Sequence, residues 1–130
     1  MQYNSIHGLD KKISKLIMGN DNQTDYDEAS KLWDHWIEVG GNAFDNAHIY
    51  GGGSMETLLG KWCRKRDNLN ELVIIAKGAH TPNCDPKNLS QQLTESLDRL
   101  QMESVDIYIM HRDNLEIPVG EFVDVLNEEK

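Results

Sequence analysis

The chain has 130 residues and a mass of 14.8 kDa, a length that suits one domain with a hydrophobic core and is too short for two. Its content of 38% apolar and 27% charged residues excludes wholesale disorder. The net charge of -9 argues against binding to nucleic acid or to an anionic membrane, because both are negatively charged. No apolar run approaches the roughly 20 residues that cross a bilayer, and the N-terminus lacks the features of a signal peptide. We therefore expect a cytoplasmic protein with one domain over residues 1–130.

Metal binding and disulfide formation have little support in the sequence. Cys63 and Cys84 are isolated and do not have the spacing of metal ligands. We expect both to be reduced, structural thiols, although sequence alone leaves a disulfide between them open.

The first half of the chain predicts two units in which a strand precedes a helix. Residues 13–19 predict a short strand that ends at a glycine, and Thr24 is the expected N-cap of an amphipathic helix. Gly40 and Gly41 end that helix. Residues 42–45 predict the second strand, and Ser54 is the expected cap of the helix that follows.

The second half repeats the pattern twice. Residues 72–76 form a continuous apolar run, typical of a strand buried on both faces of a parallel sheet. Asp85 and Pro86 supply an N-cap and a first helical residue. Residues 105–110 predict the fourth strand, and Pro118 opens the last helix. Four such units fit either an open doubly wound sheet or part of a closed (β/α)8 barrel, which needs about 250 residues when complete.

Four reactive side chains lie where the predicted strands end. Asp45 closes the second strand, Lys77 the third and His111 the fourth, while Tyr50 lies in a glycine-rich loop after Asp45. In parallel α/β proteins the active site gathers at the carboxyl ends of the strands. The arrangement therefore predicts an active site at this edge of the sheet.

The motifs around these residues resemble the aldo-keto reductases. They are Gly-Gly-Asn-Ala-Phe-Asp-Asn-Ala-x-x-Tyr-Gly-x-Gly over residues 40–53, Glu-x-x-Leu-Gly over 56–60, and Ser-Leu-x-Arg-Leu-x-x-x-x-Val-Asp-Ile-Tyr-x-x-His over 96–111. The resemblance runs from about Ile13 to Lys130 and covers only the N-terminal half of that family's barrel. It implies an α/β fold of the TIM-barrel type with about four consecutive βα units.

The resemblance also implies a reaction and the roles of its residues. An NADPH-dependent oxidoreductase would reduce a small aldehyde or ketone, with Tyr50 as the general acid, Asp45 and Lys77 tuning it, and His111 orienting the carbonyl. Gly19, Asn20 and Asp45 correspond to positions that approach the cofactor. The residues that bind the adenosine and phosphate groups in the family lie mainly in the C-terminal half of its barrel.

Elementary electrostatics supports treating these residues as one unit. A free phenol is a poor proton donor at neutral pH, and a nearby cation favours its ionised form. Lys77 can supply that cation, and a carboxylate such as Asp45 keeps a lysine charged at the end of an apolar strand. His111 can donate a hydrogen bond to a carbonyl oxygen.

Several alternatives stay open on the sequence alone. A half-barrel chain could be inactive by itself, or could persist as a noncatalytic module for interaction or nucleotide sensing. A metal hydrolase would use Asp45, His48, Glu56 and His111, although their spacing matches no tight ligand motif. His48 and His80 either line the substrate mouth or are ordinary loop histidines. A half-barrel also has open edge strands, which predicts a possible homo-oligomer.

Overall fold

The computed structural model describes residues 1–66 and 69–129, and Asp67, Asn68 and Lys130 lie outside the described residues. Short 3₁₀ turns cover Tyr50–Gly53 and Leu69–Glu71. The strands and helices, in chain order, are β1 Tyr3–Ser5, β2 Lys12–Ser14, β3 Met18–Gly19, α1 Tyr26–Glu38, β4 Ala43–Asp45, α2 Ser54–Cys63, β5 Val73–Gly78, α3 Pro86–Leu100, β6 Ile107–Met110 and α4 Val119–Glu128.

Four strands form a parallel sheet in the order β3-β4-β5-β6. The register pairs Gly19 with Asp45, Asp45 with Ile75, and Lys77 with Ile109. A helix connects each strand to the next, as a parallel sheet requires. Strand order therefore follows chain order, and β3 and β6 are the two edges of the described sheet.

The predicted first strand over residues 13–19 is wrong in detail, because it divides into two strands of different sheets. Ile13 belongs to β2, which pairs antiparallel with β1, and only Met18 and Gly19 join the parallel sheet. Contacts distant in sequence hold the hairpin: the Tyr3 hydroxyl donates to the Gly40 carbonyl at 2.5 Å. No local signal in the sequence predicts this pairing.

Two of the expected helix caps are displaced by one residue. Asp25, not Thr24, caps α1, and its carboxylate accepts the N–H groups of Asp27 and Glu28 at 3.0 and 2.9 Å. Ser54 is the first residue of α2 rather than its cap. The predicted cap of α3 is confirmed, because Asp85 accepts the N–H of Asn88 at 2.8 Å. Each cap satisfies backbone donors that the first turn of a helix leaves unpaired.

The two faces of the sheet have different partners. One face packs against the helices, and its cluster contains Trp33, Phe44, Trp62 and Ile74, all at most 3% exposed. The opposite face, which we call the inner face, carries a second set of apolar residues and is covered by Ile13 from β2 and by Leu9. That set comprises Ala43, Val73, Ile75 and Ile107. The hairpin of β1 and β2 thus covers the apolar part of the inner face, and the carboxyl end of the parallel sheet is left for polar side chains.

The fourth strand is shorter than the predicted residues 105–110. It begins at Ile107, and Val105 packs with the helical cluster instead. Among the described residues, none of the helices has the length and hydrophobicity required to cross a membrane.

Candidate active site

The carboxyl ends of three neighbouring strands bring the predicted polar residues together. Asp45 is the last residue of β4, Lys77 lies near the end of β5, and His111 follows β6 directly. Their parity places all three on the inner face, in line with Ala43, Val73 and Ile107. Backbone hydrogen bonding between β5 and β6 continues past the end of β6, because the N–H of His111 donates to the Gly78 carbonyl at 2.7 Å.

An ion pair forms the centre of the site. Lys77 Nζ donates to Asp45 Oδ1 at 2.5 Å, and the two side chains are 10% and 34% exposed. A lysine this buried is costly without an opposite charge, so Asp45 compensates for the loss of hydration. The expected pairing of Asp45 with Lys77 is thus present in the structure.

Tyr50 and His111 lie beside this pair. Lys77 Nζ is 4.9 Å from the centroid of the Tyr50 ring, and the rings of Tyr50 and His111 meet edge to face with their centroids 5.7 Å apart. All four predicted catalytic side chains therefore surround one space at the end of the sheet. Gly51, Gly52 and Gly53 have positive φ angles of 56°, 62° and 96°, so the turn that carries Tyr50 suits glycine.

A network on the helical side holds the loop that precedes Tyr50. The N–H of His48 donates to the Lys77 carbonyl at 2.9 Å, and Arg99 Nη1 donates to the His48 carbonyl, also at 2.9 Å. Arg99 further contacts the fully buried Glu56 at 3.1 Å, and the Glu95 carboxylate accepts a hydrogen bond from His48 Nε2 at 2.6 Å. Neither Arg99, although it lies in the motif over residues 96–111, nor Glu95 is among the site residues predicted from the sequence. Their contacts cross from α3 to a loop about 50 positions earlier, which no local pattern encodes.

The environment of His111 favours its neutral form. Burial lowers the pKa of His111; His80 when it is protonated and the positive charges of Lys77 and Arg112 act in the same direction, while Asp45 opposes them. A neutral imidazole keeps one N–H group that can donate to a carbonyl oxygen. His80 contacts the ring of His111 with centroids 4.7 Å apart, so this histidine is at the site.

The three residues expected near the cofactor have different surroundings. Gly19 is exposed on the inner face, with no atom within 4 Å of the position that a Cβ would take. Asp45 lies beside it in the register. Asn20 is fully buried: its Oδ1 accepts from Trp33 Nε1 at 2.8 Å, and its Nδ2 has no partner among the described residues.

The residues of the alternative metal site do not form a ligand cluster. Within residues 1–66 and 69–129, no three His, Cys, Asp or Glu side chains lie close enough to hold a metal ion. His48 instead faces Glu95 on α3, and Glu56 is paired with Arg99.

Comparisons with known proteins identify the fold and the family. A holo aldo-keto reductase from Bacillus halodurans superposes with a TM-score of 0.85 at 24% identity, covering 98% of this chain and 46% of that structure. Aldo-keto reductase str7 of Strobilurus tenacellus is 32% identical over 80% of this chain and 32% of its own length. A probable voltage-gated potassium channel subunit beta of Oryza sativa subsp. japonica is 32% identical over 98% of this chain and 42% of its own length.

The parallel sheet, its alternating helices and the superposition define the class as a partial barrel of the TIM type, so the predicted fold class is confirmed. The sequence model described as the Aldo/keto reductase family matches residues 15–130, and this chain belongs to that family of oxidoreductases. The chain spans about a third to two fifths of the length of these curated relatives.

Proposed function

We propose that this chain carries the catalytic residues of an oxidoreductase that uses NADPH to reduce an aldehyde or ketone to an alcohol. The observation that carries the proposal is the Lys77–Asp45 ion pair directly beside the rings of Tyr50 and His111. An acid, a cation that stabilises its conjugate base and a hydrogen-bond donor are together what proton delivery to a carbonyl oxygen needs.

Each side chain has one role in this proposal. Tyr50 gives its hydroxyl proton to the carbonyl oxygen as the π electrons of the carbonyl move onto that oxygen. Lys77 stabilises the phenolate that remains, and Asp45 keeps Lys77 charged. His111 in its neutral form donates a hydrogen bond that fixes the carbonyl oxygen near Tyr50.

The residues present fit the nicotinamide end of the cofactor. The open space at Gly19 lets a flat ring approach the end of β3, and Asp45 is partly exposed beside it. Asn20 would contribute a hydrogen-bond donor from the buried layer, because its amide Nδ2 lacks a partner among the described residues. When bound, NADPH supplies the hydride and its two electrons for the carbonyl carbon. The rest of the cofactor requires residues beyond this half of the barrel.

The wider setting is part of the same proposal. A noncatalytic module is not favoured, because all four reactive side chains are assembled as the reduction requires. We assign the domain to residues 1–130, the compartment to the cytoplasm and the partner to a small carbonyl compound. The edge strands β3 and β6 and the inner face would pair with a second copy or with the other half of a barrel.

The test compares the 130-residue chain alone with the chain joined to the C-terminal half of the Bacillus halodurans relative. Calorimetry measures the binding of NADPH and NADH, and the loss of NADPH absorbance measures reduction of a panel of aldehydes and ketones. We expect the joined barrel to bind NADPH and to reduce at least one carbonyl compound. A joined barrel that folds and binds NADPH but reduces none of them would contradict the proposal.

A further inference from the structure

The short segment between β4 and the 3₁₀ turn, residues 46–49, sets the position of Tyr50. The N–H of His48 donates to the Lys77 carbonyl at 2.9 Å, and the N–H of Tyr50 donates to the Ala47 carbonyl at 3.0 Å. Lys77 thus holds the segment through its backbone, while its Nζ lies 4.9 Å from the centroid of the Tyr50 ring. A shift of the segment would therefore change the distance between the Tyr50 hydroxyl and the lysine charge.

Arg99 on α3 contacts this stretch on both sides of Tyr50. Its Nη1 donates to the His48 carbonyl at 2.9 Å. On the other side, a Cβ added to Gly53 would lie 2.5 Å from Arg99 Cζ, so the guanidinium packs directly against the end of the 3₁₀ turn. The position of Arg99 therefore affects both ends of the turn that carries Tyr50.

Glu95, one helical turn before Arg99, joins these contacts. Its Oε2 accepts a hydrogen bond from His48 Nε2 at 2.6 Å and lies 3.6 Å from Arg99 Nη2. The other oxygen, Oε1, accepts from Gln91 Nε2 at 2.8 Å. The hydrogen bonds from Gln91 and His48 lower the pKa of Glu95, so its carboxylate is ionised at neutral pH. Both oxygens are engaged, and the carboxylate holds the imidazole and the guanidinium at fixed positions.

The pair of Glu95 and His48 lies on the helical side of the sheet, whereas the candidate catalytic side chains lie on the inner face. The Glu95 side chain is 38% exposed and that of His48 is 20% exposed. A pair with this much exposure usually contributes little to the free energy of unfolding, because water competes for both groups. Its loss should leave the fold intact, so an effect on the reaction can be separated from an effect on stability.

We propose that Glu95 is a positioning residue for carbonyl reduction, which acts through His48 to fix the Tyr50 hydroxyl relative to Lys77 and His111. The inference rests on the proposed reduction and adds to it a residue from the helical side of the sheet. Placement of a proton donor is a sensitive quantity, because a misplacement of about 1 Å can cost about 10²-fold in rate.

A spectroscopic signature of the 130-residue chain tests the inference without activity. Tyr50 and His111 meet edge to face with their centroids 5.7 Å apart, which brings protons of the two rings within range of the nuclear Overhauser effect. We expect this ring-to-ring effect in the wild type and its loss in Glu95→Ala. Glu95→Gln keeps an acceptor oxygen for His48 and should retain the effect. Asp98→Asn, at an exposed position on α3, is the control for charge and should retain it as well.

The same variants of the joined barrel are assayed for reduction of the carbonyl compounds that the wild type reduces. We expect the kcat of Glu95→Ala to fall by about 10–100-fold, while KM and the Kd for NADPH change little. Glu95→Gln and Asp98→Asn should retain most of the wild-type kcat. Urea unfolding of the 130-residue chain should give similar midpoints for Glu95→Ala and Asp98→Asn, because an exposed contact is removed in both.

A double variant tests whether Glu95 acts through His48. His48→Ala should lower kcat about as much as Glu95→Ala, and Glu95→Ala/His48→Ala should be no slower than either single variant, because both changes remove the same hydrogen bond. Losses that multiply in the double variant would overturn the inference.

Four other results would also overturn it: a ring-to-ring effect that is absent from the wild type or persists in Glu95→Ala, an equal loss of kcat in Glu95→Gln, a kcat of Glu95→Ala within about threefold of the wild type, or unfolding of Glu95→Ala. If the proposed function fails, the wild-type joined barrel reduces no carbonyl compound, while the ring-to-ring effect is still lost in Glu95→Ala. If only the inference about Glu95 fails, the wild type is active and Glu95→Ala keeps its kcat.

Discussion

Removing Arg99 tests whether the network behind the Tyr50 loop contributes to stability as its geometry indicates. Arg99 Nη1 is 3.1 Å from Glu56 Oε2, and the Glu56 side chain is 0% exposed. The other oxygen, Oε1, has no partner among the described residues. Arg99→Met therefore leaves a buried carboxylate without its positive charge, a loss that typically costs about 3–5 kcal/mol of unfolding free energy. We expect the lower end, about 3 kcal/mol, because the Arg99 side chain is itself 27% exposed.

Urea unfolding of the 130-residue chain at neutral pH, followed by circular dichroism, measures this cost. The double variant Glu56→Leu/Arg99→Met removes both charges and should recover most of the lost stability, because replacing a buried pair by apolar residues is often neutral or favourable. Lys31→Met, at an exposed position on α1, is the control and should stay within about 0.5 kcal/mol of the wild type. A loss below about 1 kcal/mol in Arg99→Met, or a double variant no more stable than the single one, would refute the reasoning.

Two further predictions concern a helix crossing and a titration. A Cβ on Gly60 would lie 2.3 Å from the Leu100 carbonyl oxygen, so Gly60→Ala should lower the free energy of unfolding by about 1–3 kcal/mol. The control Gly120→Ala, where a Cβ would have nothing within 4 Å, should be neutral or slightly stabilising. Urea unfolding of the two variants measures the difference. NMR titration should find the pKa of His111 below 6.5, and Lys77→Met should raise it because a positive charge is removed. Because the pKa of His111 is lower in the folded than in the unfolded chain, its contribution to the free energy of unfolding is complete above about pH 6.5. That contribution is lost as the pH falls through the pKa of the folded state. An unshifted His111, or a stable Gly60→Ala, would contradict these expectations.

The repeating part of the fold could be predicted because its signals are local. The apolar run over residues 72–76 falls within β5 except for Leu72, which precedes it, and the cap at Asp85 lies where the sequence places it. The positions of Asp45, Lys77 and His111 follow from one rule, that the ends of parallel strands meet. This rule predicts that the three side chains lie close together, but it does not determine the distances between them.

Features that depend on distant contacts could not be predicted. The N-terminal hairpin lacks an apolar pattern of its own, and Lys11 Nζ anchors it by donating to the Leu72 carbonyl at 2.8 Å. Arg99 and Glu56 lie 43 positions apart and meet only because α2 and α3 pack closely. The position of His80 depends on the positive φ of Ala79, which the residue type disfavours and the tertiary contacts enforce.

The most direct test of the central claim is the effect of Tyr50→Phe in the joined barrel, with kcat for carbonyl reduction and the Kd for NADPH measured on the same sample. If Tyr50 delivers the proton, kcat falls by about 10²–10⁴, the usual contribution of a general acid, while the Kd changes little because only a hydroxyl is removed. A variant that retains the wild-type kcat would contradict the assignment of Tyr50 and with it the proposed reaction at this site.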